Sequence, residues 1–481
     1  MRNEHKNHQT VPFKMVGSTV FGRYPKISVE QTFNMIISDD WLVPYAGYQN
    51  VLEISPSGKG RGIFVSTRLN KLIVVVDNIV YTVDTSLNLT QIGLLSTFSG
   101  DVFIDENQNN QIGICDKQNI YIYNYITTTF TTVTLNFTPG YIYFQDGYFI
   151  APDISSIVGS AKWRLSALND GTNWPLSPQT EGLFQTKPDQ VVACVAFPSK
   201  ENLLFVMGRI VTELWYDTGG ALFPYQRSSS VNIDYGCLNP ATIAVGDRFV
   251  VWLAANEKSG PVIMYSEGGN TVQISNDGIN FKLAELNHPE ISYGFLFKQD
   301  GHLLYQITFP DPSDNLTYTY DFSTQKFFTL TNQTMDFHIA KKVAFFNNTY
   351  YFVSLIDGNL YELDTKFTNY DYSNNVIYEI PRTRVCETVR MPDTSPFITQ
   401  NLNFVVEQGE SVTPGRIDFN VSRDGGQTFG NVVSQTMNTL ANRRNRVTFR
   451  RMGYGNEMTP QFRFQGFGRF VIGNGTMDLY Q

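Results

Sequence analysis

Along the chain, apolar positions come in short dense runs broken by Asp, Asn and Gly. The run 72–76 (LIVVV) meets Asp77 and Asn78, then resumes as 79–83 (IVYTV). Two apolar runs joined by so tight a turn predict a β-hairpin. The figure recurs at 112–115 with 120–123, 141–144 with 148–150, and 191–197 with 203–206. It returns at 242–245 with 249–253, 295–297 with 303–309, and 343–346 with 350–353. Several units add a more polar strand, as at 212–216, 262–265, 316–320 and 360–363. Helical periodicity is almost missing; the nearest stretch, 432–441, is short and polar.

Each unit therefore reads as an inner strand, a tight turn, a strongly apolar strand and a more polar outer strand. The spacing is about 45 residues, near the blade length of β-propellers. A single small sheet of this kind cannot bury both faces. Wrapping such sheets around an axis buries them and leaves only short edges. The pattern predicts an all-β fold, with a propeller of about six or seven blades over residues 61–364. Stacked barrels or a string of sandwiches would give a similar pattern.

The first 60 residues have weak periodicity and read as an N-terminal arm or partial sheet. The polar stretch 365–375 reads as a linker. Beyond it the rhythm changes. Runs at 377–389, 402–406, 417–421, 446–449 and 461–464 predict a sandwich-like C-terminal β-domain within 365–481.

Composition agrees with strands and turns. Aromatic residues reach 14 %, mostly 36 Phe and 26 Tyr, and charged residues only 17 %. The net charge of −8 argues against a surface that coats nucleic acid. It allows a channel wall past which DNA slides, because phosphate contacts dominate DNA affinity. The cysteines, Cys115, Cys194, Cys237 and Cys386, are far apart and read as buried free thiols of a protein made in a reducing cytoplasm. The polar start lacks the apolar core of a signal peptide, and no run has the length of a membrane span. No membrane insertion is expected.

Motifs for catalysis are scarce. None of the histidines (His5, His8, His288, His302, His338) has metal-ligand spacing, and no cofactor is implied. Asp217-Thr218-Gly219 resembles half of an aspartic-protease loop, but that chemistry needs a second such loop. Ser228-Ser229-Ser230 has no base beside it. One sharper motif is Ser422, Asp424, Gly426, Thr428 and Phe429, the spacing of an Asp box. Its physics is local: the carboxylate caps turn N–H groups, Gly accepts positive φ, and the aromatic packs beneath. Looser relatives lie at 166–174 and 275–281. Asp boxes recur in sialidases, which are propellers too, so a propeller glycosidase is the alternative reading. Its site would need three arginines and a Tyr/Glu pair, and no repeat-linked triad is visible. A cellular propeller scaffold is a second alternative. The one basic patch is Arg443, Arg444, Arg446, Arg450 and Arg451. On a strand, Arg444, Arg446 and Arg450 would share a face, fit for an acidic neighbouring subunit, DNA phosphates or plain solvent.

Ordered blocks carry a resemblance. They are Gln31 with Asn34; Gly60-Arg61-Gly62; Trp163, Ser166, Asn169, Gly171 and Trp174; and Glu213, Trp215, Tyr216, Gly219 and Gly220. Phe223-Pro224-Tyr225, Gly236 and Trp252 follow, and the Asp box with Arg446, Arg450, Arg451 and Gly453 closes the series. The chain resembles the packaged-DNA stabilisation, or tail accessory (tail nozzle), proteins of short-tailed bacteriophages. It departs from them around Tyr45-Ala46-Gly47, where the family has Pro-Gly. The resemblance implies a structural, non-enzymatic virion protein of the tail, assembled in the host cytoplasm. Copies would form a homo-oligomeric, hexameric ring that extends the portal and adaptor channel. The ring would hold packaged double-stranded DNA without sequence preference until ejection, and dock a tail needle or fibres.

Overall fold

The computed structural model describes all residues except 1–7, 23–28, 156–160, 199–201, 221–222, 269, 373–375, 409–414 and 438–443. Seven antiparallel sheets follow one another around a common axis. They are blade 1 (60–94), blade 2 (103–132), blade 3 (143–183), blade 4 (191–233), blade 5 (236–273), blade 6 (293–330) and blade 7 (340–364). Innermost strands of successive blades pack side by side, and that of blade 7 (Ala340–Phe346) returns to that of blade 1 (Gly60–Ser66).

The second strand of a blade is mostly buried. Gln111–Cys115 and Leu203–Gly208 are covered on both faces, and Lys71–Val76 nearly so. Neighbouring blades cover both faces, so these strands read as continuous apolar runs rather than alternating ones. This explains a shift of register in the sequence reading. The hairpins at 72–83 and 112–123 join second to third strands, whereas that at 141–150 joins first to second.

The wheel is closed by an early segment. Gly47–Leu52 pairs antiparallel with Leu360–Asp364 and completes blade 7. Asn369–Tyr372 then pairs parallel with Gly47–Leu52, and Val376–Glu379 adds a last, exposed strand. The expected linker thus contains a strand, and the run 377–389 divides between blade 7 and the second body.

That second body is a β-sandwich. One sheet holds Met35–Ser38, Trp41–Pro44, Phe470–Tyr480, Phe397–Gln408 and Arg444–Gly455, with His8–Phe13 also paired to Phe470–Tyr480. The facing strands are Val29–Phe33, Arg382–Val385, Glu457–Gln465, Arg416–Ser422 and Val433–Thr436. Phenylalanines fill the space between, with Phe419 4.6 Å from Phe449 and 4.9 Å from Phe462, centroid to centroid. Residues 1–60, read as an arm, supply strands to both bodies. Val29–Phe33 lies beside Lys326–Leu330 of blade 6, so one eleven-stranded sheet runs from the wheel into the sandwich.

Within 432–441, Val433–Thr436 is an edge strand. The only α-helix among the described residues is Asp277–Ala284, capped by Asn276, whose side chain accepts from the Ile279 N–H. It occupies one of the loose Asp-box relatives, where Asn-Asp-Gly begins a helical turn instead of a hairpin turn.

Candidate functional site

Blade geometry gathers two sets of loops at one end of the axis: those leading into the innermost strands, and those joining second to third strands. They surround a cavity of about 630 Å³. Lys59, Ser99 to Asp101, Gly140, Gln190 and Ser292 come from the first set, and Lys117, Ile154, Arg209, Pro310 and Leu355 from the second. Every blade contributes to this mouth.

Cations outnumber anions there. Lys59, Arg61, Lys117, Arg209 and Lys341 face the cavity, against Asp101 and Glu290. Arg61 is committed to structure. Its guanidinium donates to the carbonyls of Gly100 (2.9 Å), Asp77 (2.8 Å), Thr97 (2.6 Å) and Ser99 (2.7 Å). It ties blade 1 to the crossing into blade 2. Asp101 accepts from Lys341 (2.7 Å) and Lys117 (2.9 Å). Burial would raise its pKa, but the two ammoniums more than offset this and hold it well below the usual carboxylate range.

A β-bulge between Ala340 and Lys342 surrounds Lys341, which lines the cavity. The Lys341 amine lies 4.2 Å from the centroid of the Tyr293 ring. The Lys342 amine sits deeper, 3.3 Å from the Ala241 carbonyl and 3.5 Å from that of Gly294. Burial pushes it down to about 8, and Lys341 adds to the effect. Deeper still, Asp105 accepts from the Phe144 N–H (2.7 Å) and the Glu106 N–H (2.8 Å). Burial nonetheless raises its carboxyl to about 7.

The residues of the Asp box close a hairpin turn of the sandwich, not of a blade. Asp424 accepts from the Ser422 hydroxyl (2.6 Å), the Gln427 N–H (3.0 Å) and the Thr428 N–H (2.9 Å). Hydrogen bonds from Ser422 and Thr428 keep its carboxyl far below the ordinary value. Gly426 has φ +88°, and a Cβ there would lie 2.6 Å from Val29. Phe429 lines a groove with Val29 and Phe33. Arg444, Arg446 and Arg450 are exposed on the edge strand Arg444–Gly455, alternating with buried Val447 and Phe449. Arg444 reaches Glu407 at 3.2 Å. Arg451 is exposed beside them, and Arg443 lies outside the described residues.

The remaining block residues form joints. Asn34, at φ +55°, receives the Thr331 N–H (2.8 Å) and donates to Thr331 Oγ1 (2.8 Å) and the Pro381 carbonyl (2.9 Å). It pins wheel to sandwich. Glu213 is wholly buried, accepting from the N–H groups of Gln185 (2.8 Å) and Thr186 (2.6 Å) and from the Trp215 indole (2.9 Å). Trp163 meets Trp215 at 5.3 Å and Phe223 and Tyr225 at 5.4 Å, locking blade 3 to blade 4.

The sequence missed the lysine pair of the bulge, whose only signal was Lys341-Lys342 opening an apolar run. His302 and His338 do not meet. His302 bonds Asp321 at 2.9 Å, and His338 sits among Tyr45, Tyr48, Phe352 and Tyr370. All the cysteines are buried and unpaired. Among the described residues, no three His, Cys, Asp or Glu side chains gather as a metal site, and no helix is long and apolar enough to cross a membrane.

Solved propellers are among the structures to which the chain is distantly similar. Selenomethionine-substituted virginiamycin B lyase from Staphylococcus aureus is 12 % identical, with a TM-score of 0.46 over 66 % of this chain and 99 % of that one. A catalytically inactive form of the same enzyme with quinupristin is 11 % identical, with a TM-score of 0.45 over 66 % and 99 %. The WD40 β-propeller domain of Doa1 is 13 % identical, with a TM-score of 0.41 over 66 % and 96 %. No curated protein matches the chain. A family model described as the β-propeller of bacteriophage P22 Gp10 matches residues 21–368, and one described as its β-sandwich matches 384–479. The first match spans the wheel together with the early strands lent to the sandwich, the second spans the C-terminal strands of the sandwich, and the chain belongs to the phage P22 Gp10 family of tail accessory structural proteins.

Proposed function

We propose that copies of this chain form a hexameric ring at the tail of a short-tailed phage, extend the DNA channel, retain packaged DNA and dock a needle or fibres. The family match over both bodies carries this reading. The build supports it: a closed wheel and a sandwich share one sheet and the Asn34 joint, which suits a stiff ring segment. Edges available for contact between copies are Val376–Glu379, where Ile377 is 52 % exposed, and Val433–Thr436, where Val433 is 48 % exposed. Exposed apolar edge strands invite pairing with another chain. The arginine edge of Arg444, Arg446 and Arg450 offers an acidic neighbour or DNA phosphates a charged contact. The net charge of −8 keeps the remaining surface from gripping DNA.

Electron cryomicroscopy and mass spectrometry of purified particles test the reading. The expected result is a ring of this protein between the portal region and the tail tip, with DNA lost from particles assembled without it. Absence of the protein from purified virions would overturn the proposal in favour of a cellular scaffold. The glycosidase alternative has less support. Two arginines line the mouth, one of them engaged by carbonyls, and the Asp box lies in the sandwich. Hydrolysis of a fluorogenic sialoside by the purified protein would revive it.

A further inference from the structure

We propose that the axial mouth of the wheel is a binding site for a phosphate group carried by a small molecule. Two ammonium groups, those of Lys117 and Lys341, line it from separate directions, and that of Lys342 lies nearby. Lys117 comes from the loop of blade 2, and Lys341 and Lys342 come from the bulged inner strand of blade 7. Asp101 is the carboxylate that serves Lys117 and Lys341, while Lys342 has only two long contacts to carbonyl oxygens. Exposed Lys59 and Arg209 stand at the rim and raise the local positive potential of an otherwise acidic protein.

Lysine chemistry suits a phosphate. The guanidinium fork serves carboxylate and phosphate alike, and the Arg61 fork is filled by backbone carbonyls, which leaves the binding to the lysines and the rim Arg209. Lysines act as point charges around a tetrahedral anion. Ile154, Val192, Leu238, Ile291 and Leu355 give the same cavity an apolar wall for an organic moiety. Its volume, about 630 Å³, suits a small ligand and is too small for a DNA duplex. The strongest sign of a built site is the buried Lys341 amine, held at the cavity between Asp101 and the Tyr293 ring.

The test is thermal unfolding of the full chain in inorganic phosphate, adenosine monophosphate, citrate and chloride at matched ionic strength. A ligand of the native state raises Tm with its concentration. The expected result is a saturable rise with adenosine monophosphate, inorganic phosphate or both, and little with citrate or chloride. A rise with phosphate equal to that with the nucleotide names free phosphate as the source; a larger rise with the nucleotide names an organic phosphate. Lys342→Met and Lys117→Met should each weaken binding about tenfold or more. Lys117 is partly exposed and leaves Lys341 to serve Asp101, so Lys117→Met keeps the fold if Lys342→Met does not. An equal rise in citrate or chloride, no rise at all, or a rise unchanged in Lys117→Met would overturn the proposal.

Discussion

The wheel and the sandwich are both antiparallel β-structure, but they are assembled from the chain in opposite ways. Six blades of the wheel are each drawn from one continuous stretch of sequence. In the sandwich, His8 lies beside Tyr480, and Val29–Phe33 lies beside Arg382–Val385. The wheel is held by apolar contact between repeated sheets, with aromatic locks such as Trp163. The wheel also encloses single charged side chains such as Glu213, whereas the sandwich encloses an arginine with its carboxylate partner. Arg384 is fully enclosed, paired with Glu30, and donates to the carbonyls of Met15 (2.9 Å) and Ser18 (3.1 Å) and to Thr32 Oγ1 (3.1 Å). Local assembly can proceed blade by blade, whereas the sandwich requires both ends of the chain before its core exists. The two regions meet in Gly47–Leu52, which leaves the sandwich to close the wheel.

The sharpest way to break this comparison is at Arg384. Arg384→Ala leaves Glu30 as an unpaired buried charge and strands two carbonyls, a loss of about 5 kcal/mol. Because the same N-terminal segment closes blade 7, the loss should spread. Hydrogen exchange should show weakened protection in the sandwich and in Gly47–Leu52 and Leu360–Asp364 together. Protection unchanged in blade 7 would mean that the two bodies are energetically separate. Trp163→Ala removes the centre of the aromatic lock between blades 3 and 4, at a cost of about 4 kcal/mol. Its effect should stay in the wheel. Urea unfolding with exchange readout over 397–408 checks this, and loosening of that strand would contradict the local assembly of the blades.

The same contrast decides what the sequence revealed. Blades were legible because each is a local hairpin set with turn residues in place, such as Asp77 at φ +50°. The C-terminal strands were legible as a change of rhythm. Strand exchange was not: nothing in 47–52 (GYQNVL) names a partner more than three hundred residues away, since pairing over such a distance is set by tertiary packing. The Asp-box residues were legible as a turn, and their carboxylate and glycine behave as the local physics requires. The mouth was not legible, because its lining comes from a few residues of every blade, and one of them, Lys341, sits in a bulge. Asn34, Arg61 and Glu213 stood out in blocks without a stated task; each proves to be a buried joint that saturates backbone groups.

A pH measurement sharpens the comparison at the junction. His338 is enclosed by aromatic rings. Its Nδ1 accepts from Gln306 at 3.3 Å, and its Nε2 has no partner. Burial pushes its pKa down to about 3. The unfolded chain therefore binds a proton between about pH 6.5 and 3 that the folded chain refuses, so stability falls as pH drops through that window. From pH 7 to pH 4 this residue should cost about 3 kcal/mol. His338→Phe should flatten that part of the urea-midpoint profile; an unchanged profile would place the acid sensitivity elsewhere.

The smallest effect is expected at the Asp box. Asp424 is exposed, and its bonds to Ser422, Gln427 and Thr428 stay within one turn. Asp424→Ala should leave the wheel untouched and shift the sandwich transition by less than any substitution above. Its consequence should be local: faster amide exchange at Gln427 and Thr428, and a displaced Gly426, which now rests against Val29. Because Val29 belongs to the strand that leads from the sandwich into blade 6, the turn also props one side of the groove lined by Phe33, Phe429 and Arg463. Exchange confined to 422–429 would mark the box as a self-contained lock. Exchange reaching Val29–Phe33 would show that it also braces the seam between the two bodies.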